Sequence, residues 1–181
     1  MNTAVEKIST KGQWSLDQTH SNLNFTISHL VISKVTGSFE DYEASIINSA
    51  DDFASAEIEL AIKTGSINTR NEMRDKHLMS NDFFNAEEYP EIRFKSTSIE
   101  QLGDEQFKIN GALTIRDISR NVSFDAKLGG TAVDGYGNTK MGLEAHITIN
   151  RFDYNLKWNQ LTEAGGMTVG KEVDVVAQLQ L

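Results

Sequence analysis

Residues 22–29 read NLNFTISH, and their alternation is the clearest indication of the fold. Leu23, Phe25, Ile27 and His29 fall on one face of an extended chain, and polar residues fall on the other. This pattern is typical of a half-buried β-strand. Because the apolar face ends in an ionisable ring, His29 is a candidate metal ligand, catalytic base or polar group at the mouth of a pocket.

The same period of two recurs along the chain and predicts an all-β fold. Eight or nine strands joined by short, glycine-rich turns imply antiparallel neighbours. Such a sheet must close or stack to hide its apolar face and its edges, so a barrel and a two-sheet sandwich both fit. The alternating stretches are 22–29, 55–62, 106–115, 122–128, 141–149 and 173–181, with weaker ones at 13–18, 38–47 and 91–99.

One segment, TRNEMRDKHLMSNDFF (69–84), has helical character instead. Thr69 and Glu72 have the spacing of a capping box, which predicts a helix start at Thr69. A second short helix is expected over 81–84. The chain is therefore interpreted as one domain over 1–181, with a helical insertion between two strand runs and a flexible lead at 1–11.

Composition excludes several classes of function. The net charge of −9 and the lack of a Lys/Arg-rich run disfavour nucleic acid and anionic membrane surfaces as partners. The absence of cysteine excludes disulfides and thiolate chemistry. No apolar run approaches the ~20 residues of a membrane span. Because the first residues lack an apolar secretory segment, a cytoplasmic location is expected, or the periplasm if a leader has been removed.

The four histidines do not have the close spacing of a metal site, so neither a metal nor a cofactor is expected. His146 falls on the polar face of its strand and is interpreted as solvent-exposed. His20, His29 and His77 could meet only through the fold.

The carboxylates likewise lack the pairing that acid–base catalysis needs. Asp75, Asp82 and Asp153 are interpreted as caps, turn residues and partners of Arg74 and Arg151.

The apolar residues are more informative, because a closed barrel of about eight strands leaves room for one small ligand. Core packing accounts for most of the nine phenylalanines and two tryptophans. The helical insertion is placed across one mouth as a lid, carrying Met73, Leu78, Phe83 and Phe84.

Taken in order, several stretches resemble the YceI-like family of polyisoprenoid-binding proteins with a lipocalin-like barrel, over nearly the whole chain. These are His20-Ser21, Phe25, HLVISKVTGSF (29–39), RDKHLMSNDFFNAEEYPEIRF (74–94), GALTI (111–115) and INRFDYNLKW (149–158). Two positions differ from the family pattern. Arg116-Asp117 stands where Gly-Thr is common, and Asn155 replaces a common glycine. Asp117 and Asn155 are each expected to tolerate a left-handed turn.

The resemblance implies an extended, eight-stranded antiparallel barrel around a tunnel. It implies non-enzymatic binding or carriage of a long-chain isoprenoid or fatty-acyl amphiphile, and also a homodimer. His29 is placed near the opening, where it either meets a head group or, as the favoured alternative, ties down the segment around Arg74, Asp75 and His77. The predicted ligand-binding residues are Leu23, Phe25, Ile27, His29, Ile58, Leu60, Met73, Arg74, His77, Leu78, Phe83, Phe84, Phe94, Phe107, Leu113, Phe124, Met141, Leu143 and Trp158.

Two other functions fit the same residues. One is an enzyme acting on an isoprenoid-like amphiphile, with His29, His77 or Asp75 as the acid or base. The other is a barrel with a filled core that serves as an interaction module.

Overall fold

Eleven β-strands and one α-helix make up the fold in a computed structural model that describes residues 9–181. Short 3₁₀ turns occupy Gln18–His20, Phe53–Ser55, Thr64–Ser66 and Arg151–Tyr154, and the helix α1 is Glu72–Met79. The strands are β1 (Gly12–Ser15), β2 (Asn22–His29), β3 (Ser33–Phe39), β4 (Tyr42–Asn48), β5 (Ala56–Lys63), β6 (Ile67–Asn68), β7 (Glu91–Gln101), β8 (Gln106–Ile115), β9 (Ile118–Val133), β10 (Thr139–Asn150) and β11 (Val169–Gln180).

The predicted count of eight strands is wrong, although the all-β antiparallel class is confirmed. The run at 38–47 spans two strands, because the chain turns at residues 40–41 without glycine or proline. The two-residue strand β6 is too short for a period of two to reveal it.

All neighbouring strands pair antiparallel, in the order β1-β4-β5-β7-β8-β9-β10-β11-β2-β3-β6. Strand β3, near one edge of the sheet, is joined by only two residues to β4, near the other edge. The two edges must therefore lie close together, which means that the sheet is curled. The Leu16 N–H donates to the Ala44 carbonyl (3.2 Å) and the Asp17 N–H to the Gln180 carbonyl (2.7 Å). These bonds connect β4 to β11 across the gap, so the sheet has a barrel-like shape.

Strand β2 has the predicted bounds and the predicted inward face. Leu23 is buried, and Phe25 and Ile27 are half-buried. The three residues pair with Ala177, Val175 and Val173 of β11. The alternation seen in the sequence therefore arises because one face of β2 points into the curl of the sheet.

A hydrophobic core lies at one end of the barrel-like sheet. This end is called the closed end. Phe53 and Phe107 pack edge to face with ring centroids 5.0 Å apart. Met141 is fully buried beside them, together with Leu128 and Leu181. None of these five side chains lines the space inside the sheet, which lies toward the other end.

Helix α1 begins two residues later than predicted. Its N-cap is Asn71, whose side chain accepts the Arg74 N–H at 3.0 Å, rather than Thr69. Residues 81–84 form turns and not the expected second helix. Within residues 9–181, no helix is both long and apolar enough to cross a bilayer.

The two departures from the family pattern have different outcomes. Asn155 adopts the expected left-handed conformation (φ 61°). In the β8–β9 turn, however, Arg116 takes the positive φ of 56°, and Asp117 does not. The Arg116 guanidinium donates to the Asn81 side-chain oxygen (3.0 Å) and the Phe83 carbonyl (3.2 Å). These bonds hold a residue larger than glycine at the first position of the turn.

The expected flexible lead at 1–11 lies mostly outside the described residues. Of its described part, Thr10 is buried and belongs to the fold. Its hydroxyl accepts the Asn48 side-chain N–H at 2.8 Å, and its carbonyl accepts the Trp14 indole N–H at 2.9 Å.

Gly111 is required because β8 passes very close to β7. A Cβ atom there would lie 2.5 Å from the Lys95 carbonyl oxygen and from the Phe94 ring. We expect Gly111→Ala to lower the free energy of unfolding by about 2 to 3 kcal/mol in urea titrations, because a backbone must move. Gly142→Ala is the matched control, since its nearest neighbour would be 3.7 Å away. Equal losses in the two variants would contradict this explanation.

Asp17 connects the first 3₁₀ turn to β10 through an ion pair. Its carboxylate accepts from Lys140 Nζ at 3.0 Å and lies 3.2 Å from His20 Nδ1. The Lys140 hydrogen bond is the main cause that lowers the pKa of Asp17 from 3.8 to about 2.

A lowered carboxyl pKa stabilises the fold above the unfolded-state value and loses that effect as the pH falls toward 2. We therefore expect Asp17→Asn to lower the melting temperature at pH 7, and the two proteins to converge near pH 2. Thermal scans by circular dichroism would measure this, with exposed Asp125→Asn as the control. If the difference in melting temperature between Asp17→Asn and the wild type stayed constant down to pH 2, the charge of Asp17 would not be the cause of the destabilisation.

Candidate ligand-binding cavity

The curled sheet encloses a cavity of about 780 Å³ between the closed end and α1. Its walls come from the inward faces of strands on every side of the sheet, and they are almost wholly hydrocarbon. It opens beside α1, the end of β2 and the loop that precedes β11; this opening is called the mouth. A space of this size and character is typical of a site for one small apolar molecule.

Most of the predicted ligand-binding residues surround this one space. Their role in binding stays a prediction, but all of those named below line the same cavity. The lining includes Leu23, Phe25, Ile27, His29, Ile58, Leu60, Met73, Arg74, His77, Leu78, Phe83, Phe84, Phe94, Leu113, Phe124, Leu143 and Trp158.

Two predicted residues, Phe107 and Met141, do not line the cavity. Both point inward, as the alternation indicated, but they lie in the core of the closed end. A period of two identifies the face of a residue and not its height along the barrel, so the sequence could not separate these two from the others.

Several lining residues were missing from the prediction. Most are same-face neighbours on predicted strands, and the alternation could have identified them. Others, such as Arg151 and Gln160, lie in turns without any regular pattern. Those on the walls include Val35, Phe39, Ile46, Ile62, Ile92, Ile109, Ile115, Ile147, Ile149, Val173, Val175, Ala177 and Leu179.

An aromatic cluster lies beside the mouth. The His77 ring is edge-on to Trp158, with centroids 4.6 Å apart, and to Phe83 at 5.2 Å. His77 Nε2 lies 2.8 Å from the Asp82 carboxylate. Since His77 faces both the cavity and solvent, it places a polar nitrogen where the hydrocarbon wall ends.

Helix α1 is held at the mouth through buried Thr69. The Arg74 guanidinium donates to the Thr69 hydroxyl (2.7 Å) and carbonyl (2.8 Å). The Thr69 hydroxyl and N–H donate to Asp75 (2.6 and 2.9 Å). Asp75 is therefore a partner of Thr69. The sequence-based prediction that Asp75 pairs with Arg74 is wrong.

This arrangement corrects the role favoured for His29. Within the described residues, the His29 ring forms no hydrogen bond to Arg74, Asp75 or His77. The tie-down of this segment is made by Thr69. His29 is half-buried in the cavity wall near the mouth.

Arg151, at the start of the last 3₁₀ turn, is a buried cation that the sequence paired wrongly with a carboxylate. Only 3% of its surface is exposed. Its guanidinium donates to the carbonyls of Gly170 (2.7 Å), Trp158 (2.9 Å), Val169 (3.2 Å) and Leu156. No ion pair of Arg151 is found in the described part of the chain. Burial lowers its pKa, but an arginine remains charged at neutral pH.

The histidines do not form one site. His20 precedes β2 and His29 ends it, so the two lie at opposite ends of that strand. His146 is exposed on the outer face, as predicted. Across residues 9–181, no group of three or more His, Cys, Asp or Glu side chains is arranged to hold a metal ion.

The geometry suits the binding of an amphiphile. The deep part of the cavity offers hydrocarbon contacts, and the mouth offers a few polar side chains. A long apolar tail would occupy the interior, and its polar end would stay near His29, Asn71, Arg74, His77 and Gln160.

Comparison with known proteins gives the same family from sequence and from structure. Residues 14–181 match the family model described as the YceI-like domain. UPF0312 protein SA2479 of Staphylococcus aureus is 36% identical over 168 residues, covering 92% of this chain and 95% of that protein. A Campylobacter jejuni YceI protein has a TM-score of 0.72 at 32% identity, covering 93% and 96% of the two chains. A polyisoprenoid-binding domain from Saccharophagus degradans shares the fold at 19% identity, with a TM-score of 0.69 and coverage of 92% and 95%.

Proposed function

Because this chain belongs to the YceI-like family, we propose that it binds one long-chain amphiphile of isoprenoid or fatty-acyl type and releases it chemically unchanged. The observation that carries the proposal is the apolar cavity of about 780 Å³ with polar side chains at its mouth. The polyisoprenoid-binding domain from Saccharophagus degradans supports the class of ligand, since it has the same fold.

The energetics favour a long tail over a compact ligand. Each methylene moved from water into hydrocarbon contributes about 0.8 kcal/mol. Eight buried methylenes would therefore contribute roughly 6 kcal/mol before the cost of association. Tail length sets the affinity in this scheme, and the side chains at the mouth select the head group.

The test is mass spectrometry of an organic extract of the purified protein, together with native mass spectrometry of the intact chain. We expect a stoichiometric long-chain lipid, or an adduct after incubation with polyprenyl or fatty-acyl amphiphiles. An absence of both would contradict the proposal and favour a filled-core interaction module. Recovery of a chemically altered ligand would favour an enzyme, with the His77–Asp82 pair as the first candidate for its acid or base.

His29→Ala separates a role at the head group from a structural role. We expect the affinity for a polyprenyl or fatty-acyl amphiphile to fall about fivefold, because one hydrogen bond contributes about 1 kcal/mol. The melting temperature should change little, since Thr69 and not His29 holds α1. Fluorescence titration and thermal scans would measure the two effects, with exposed His146→Ala as the control. A lower melting temperature with unchanged affinity would argue for a structural role.

A further inference from the structure

The mouth is bordered by apolar side chains that point to solvent. Leu30, Val31 and Ile32 form the tip between β2 and β3, and Val31 and Ile32 are each 87% exposed. Met73, on the cavity side of α1, is 83% exposed, and Leu161 is exposed in the loop before β11. These five residues are called the apolar rim. Exposed apolar groups clustered in this way mark an interaction surface more often than isolated ones do.

The tip is held in a strained shape. Leu30 and Val31 both have left-handed φ angles, of 53° and 65°, which are rare outside glycine and most unusual for β-branched valine. The Leu30 N–H donates to the Thr168 carbonyl at 2.7 Å, and the Ser33 hydroxyl donates to the His29 carbonyl at 3.1 Å. Backbone strain of this kind persists at functional sites, where neighbouring contacts hold it in place.

The rim is continuous with the cavity. His29 precedes the tip and lines the cavity, and Met73 belongs to the lining itself. Leu161 pairs with Met167, next to the lining residues Gln160 and Thr168. The apolar rim therefore borders the same opening through which a ligand would enter the cavity.

Charge on the segments that carry the apolar rim differs from that of the whole chain. Segments 28–35, 69–84 and 155–171, which carry the five rim residues, have six lysines and arginines against four carboxylates, a net charge of +2, while the chain carries −9. The total charge of the chain disfavours anionic membranes. The local charge is compatible with a phosphate-rich lipid surface.

We infer that the apolar rim docks onto a lipid bilayer, with the tip between β2 and β3 inserted among the acyl chains and the mouth facing the membrane. The inference rests on the proposed lipid ligand, because the bilayer is where such a ligand resides. A narrow tip of three side chains suits insertion into a soft interface. A stable dimer needs a broader, complementary surface of about 800 Å² from each partner. Amphipathic surfaces bind membranes by apolar burial aided by basic groups.

The test is vesicle flotation with phosphatidylcholine vesicles and with phosphatidylcholine–phosphatidylglycerol vesicles. The double variant Val31→Asn/Ile32→Ser removes the tip's apolar surface, and asparagine tolerates the left-handed conformation at position 31. Val133→Asn/Tyr136→Ser is the matched control, since both residues are exposed at the β9–β10 turn at the opposite end of the barrel. We expect the tip variant to bind vesicles about tenfold or more weakly, and the control to bind like the wild type.

Binding of a detergent-solubilised amphiphile, measured in parallel, separates this inference from the proposed function. Loss of vesicle binding with unchanged amphiphile binding supports docking through the rim. A wild-type protein that binds the amphiphile but not vesicles overturns the inference and leaves the proposed function intact. Equal vesicle binding by the tip variant and the control also overturns it. A tip variant that changes only the oligomeric mass, measured by light scattering, would assign the rim to a second copy instead.

Discussion

Ala177→Phe is expected to weaken amphiphile binding roughly 30- to 150-fold while leaving the melting temperature nearly unchanged. Ala177 lines the cavity on β11, between Leu23 of β2 and Ala145 of β10. A phenyl ring there would occupy free space rather than overpack a filled core. It would displace about three methylenes of a bound tail, a loss of about 2 to 3 kcal/mol.

Val176→Phe is the matched control, because Val176 is adjacent in sequence but pairs with exposed His146 on the outer face. Fluorescence titration with a polyprenyl or fatty-acyl amphiphile would measure the affinities, and thermal scans would measure stability. If Ala177→Phe bound the amphiphile as tightly as the wild type, the ligand would have to lie elsewhere than in this cavity.

Arg151→Met is expected to have the largest effect on stability, a loss of about 3 to 5 kcal/mol in the free energy of unfolding. Methionine keeps much of the side-chain volume but donates no hydrogen bond. Four backbone carbonyls, from residues 156, 158, 169 and 170, would lose their guanidinium donor. These carbonyls belong to both sides of the loop that borders the mouth, so that loop would lose its attachment.

Urea titration would measure this loss. Arg120→Met is the control, since exposed Arg120 makes one long bond of 3.3 Å to the Asp153 carbonyl. We expect the control to change stability by less than about 0.5 kcal/mol. Arg151→Lys should rescue little, because one ammonium group does not have the geometry to reach carbonyls on both sides of the loop. Comparable losses in Arg151→Met and Arg120→Met would show that burial of the guanidinium is not the cause.

The strands with one buried face were the predictable part of the fold. The bounds of β2 and β8 match the alternating stretches 22–29 and 106–115, because one face of each strand is apolar throughout. The two-residue strand β6 has no period to detect. The predicted strand at 38–47 covers only the last two residues of β3 and most of β4, because the turn at 40–41 lies inside an alternating run without glycine or proline. No strand is predicted for residues 33–37, which begin β3.

The sequence predicts the apolar walls of the candidate site. It does not predict the hydrogen bonds that hold the surrounding loop and α1 in place. Inward-facing apolar residues follow from alternation, but Phe107 and Met141 show that alternation does not give depth. The Arg151 guanidinium donates to backbone carbonyls. Because every residue has a backbone carbonyl, the residue types in the sequence do not indicate which ones Arg151 binds. The spacing of Thr69 and Glu72 predicts a cap at Thr69, but in the fold Thr69 is engaged by Arg74 and Asp75, and Asn71 caps α1 instead.

The packed closed end gives the cavity a floor. Because Phe53, Phe107 and Met141 fill that end, a tail that enters at the mouth has to leave by the same route, in reverse. Under the proposed function, the depth of the cavity sets the tail length that binds best. Tails shorter than this depth would leave space at the closed end, and longer ones would push their head groups out of reach of the mouth. Each further methylene that fits should lengthen the residence time of the ligand about fourfold, until the floor is reached.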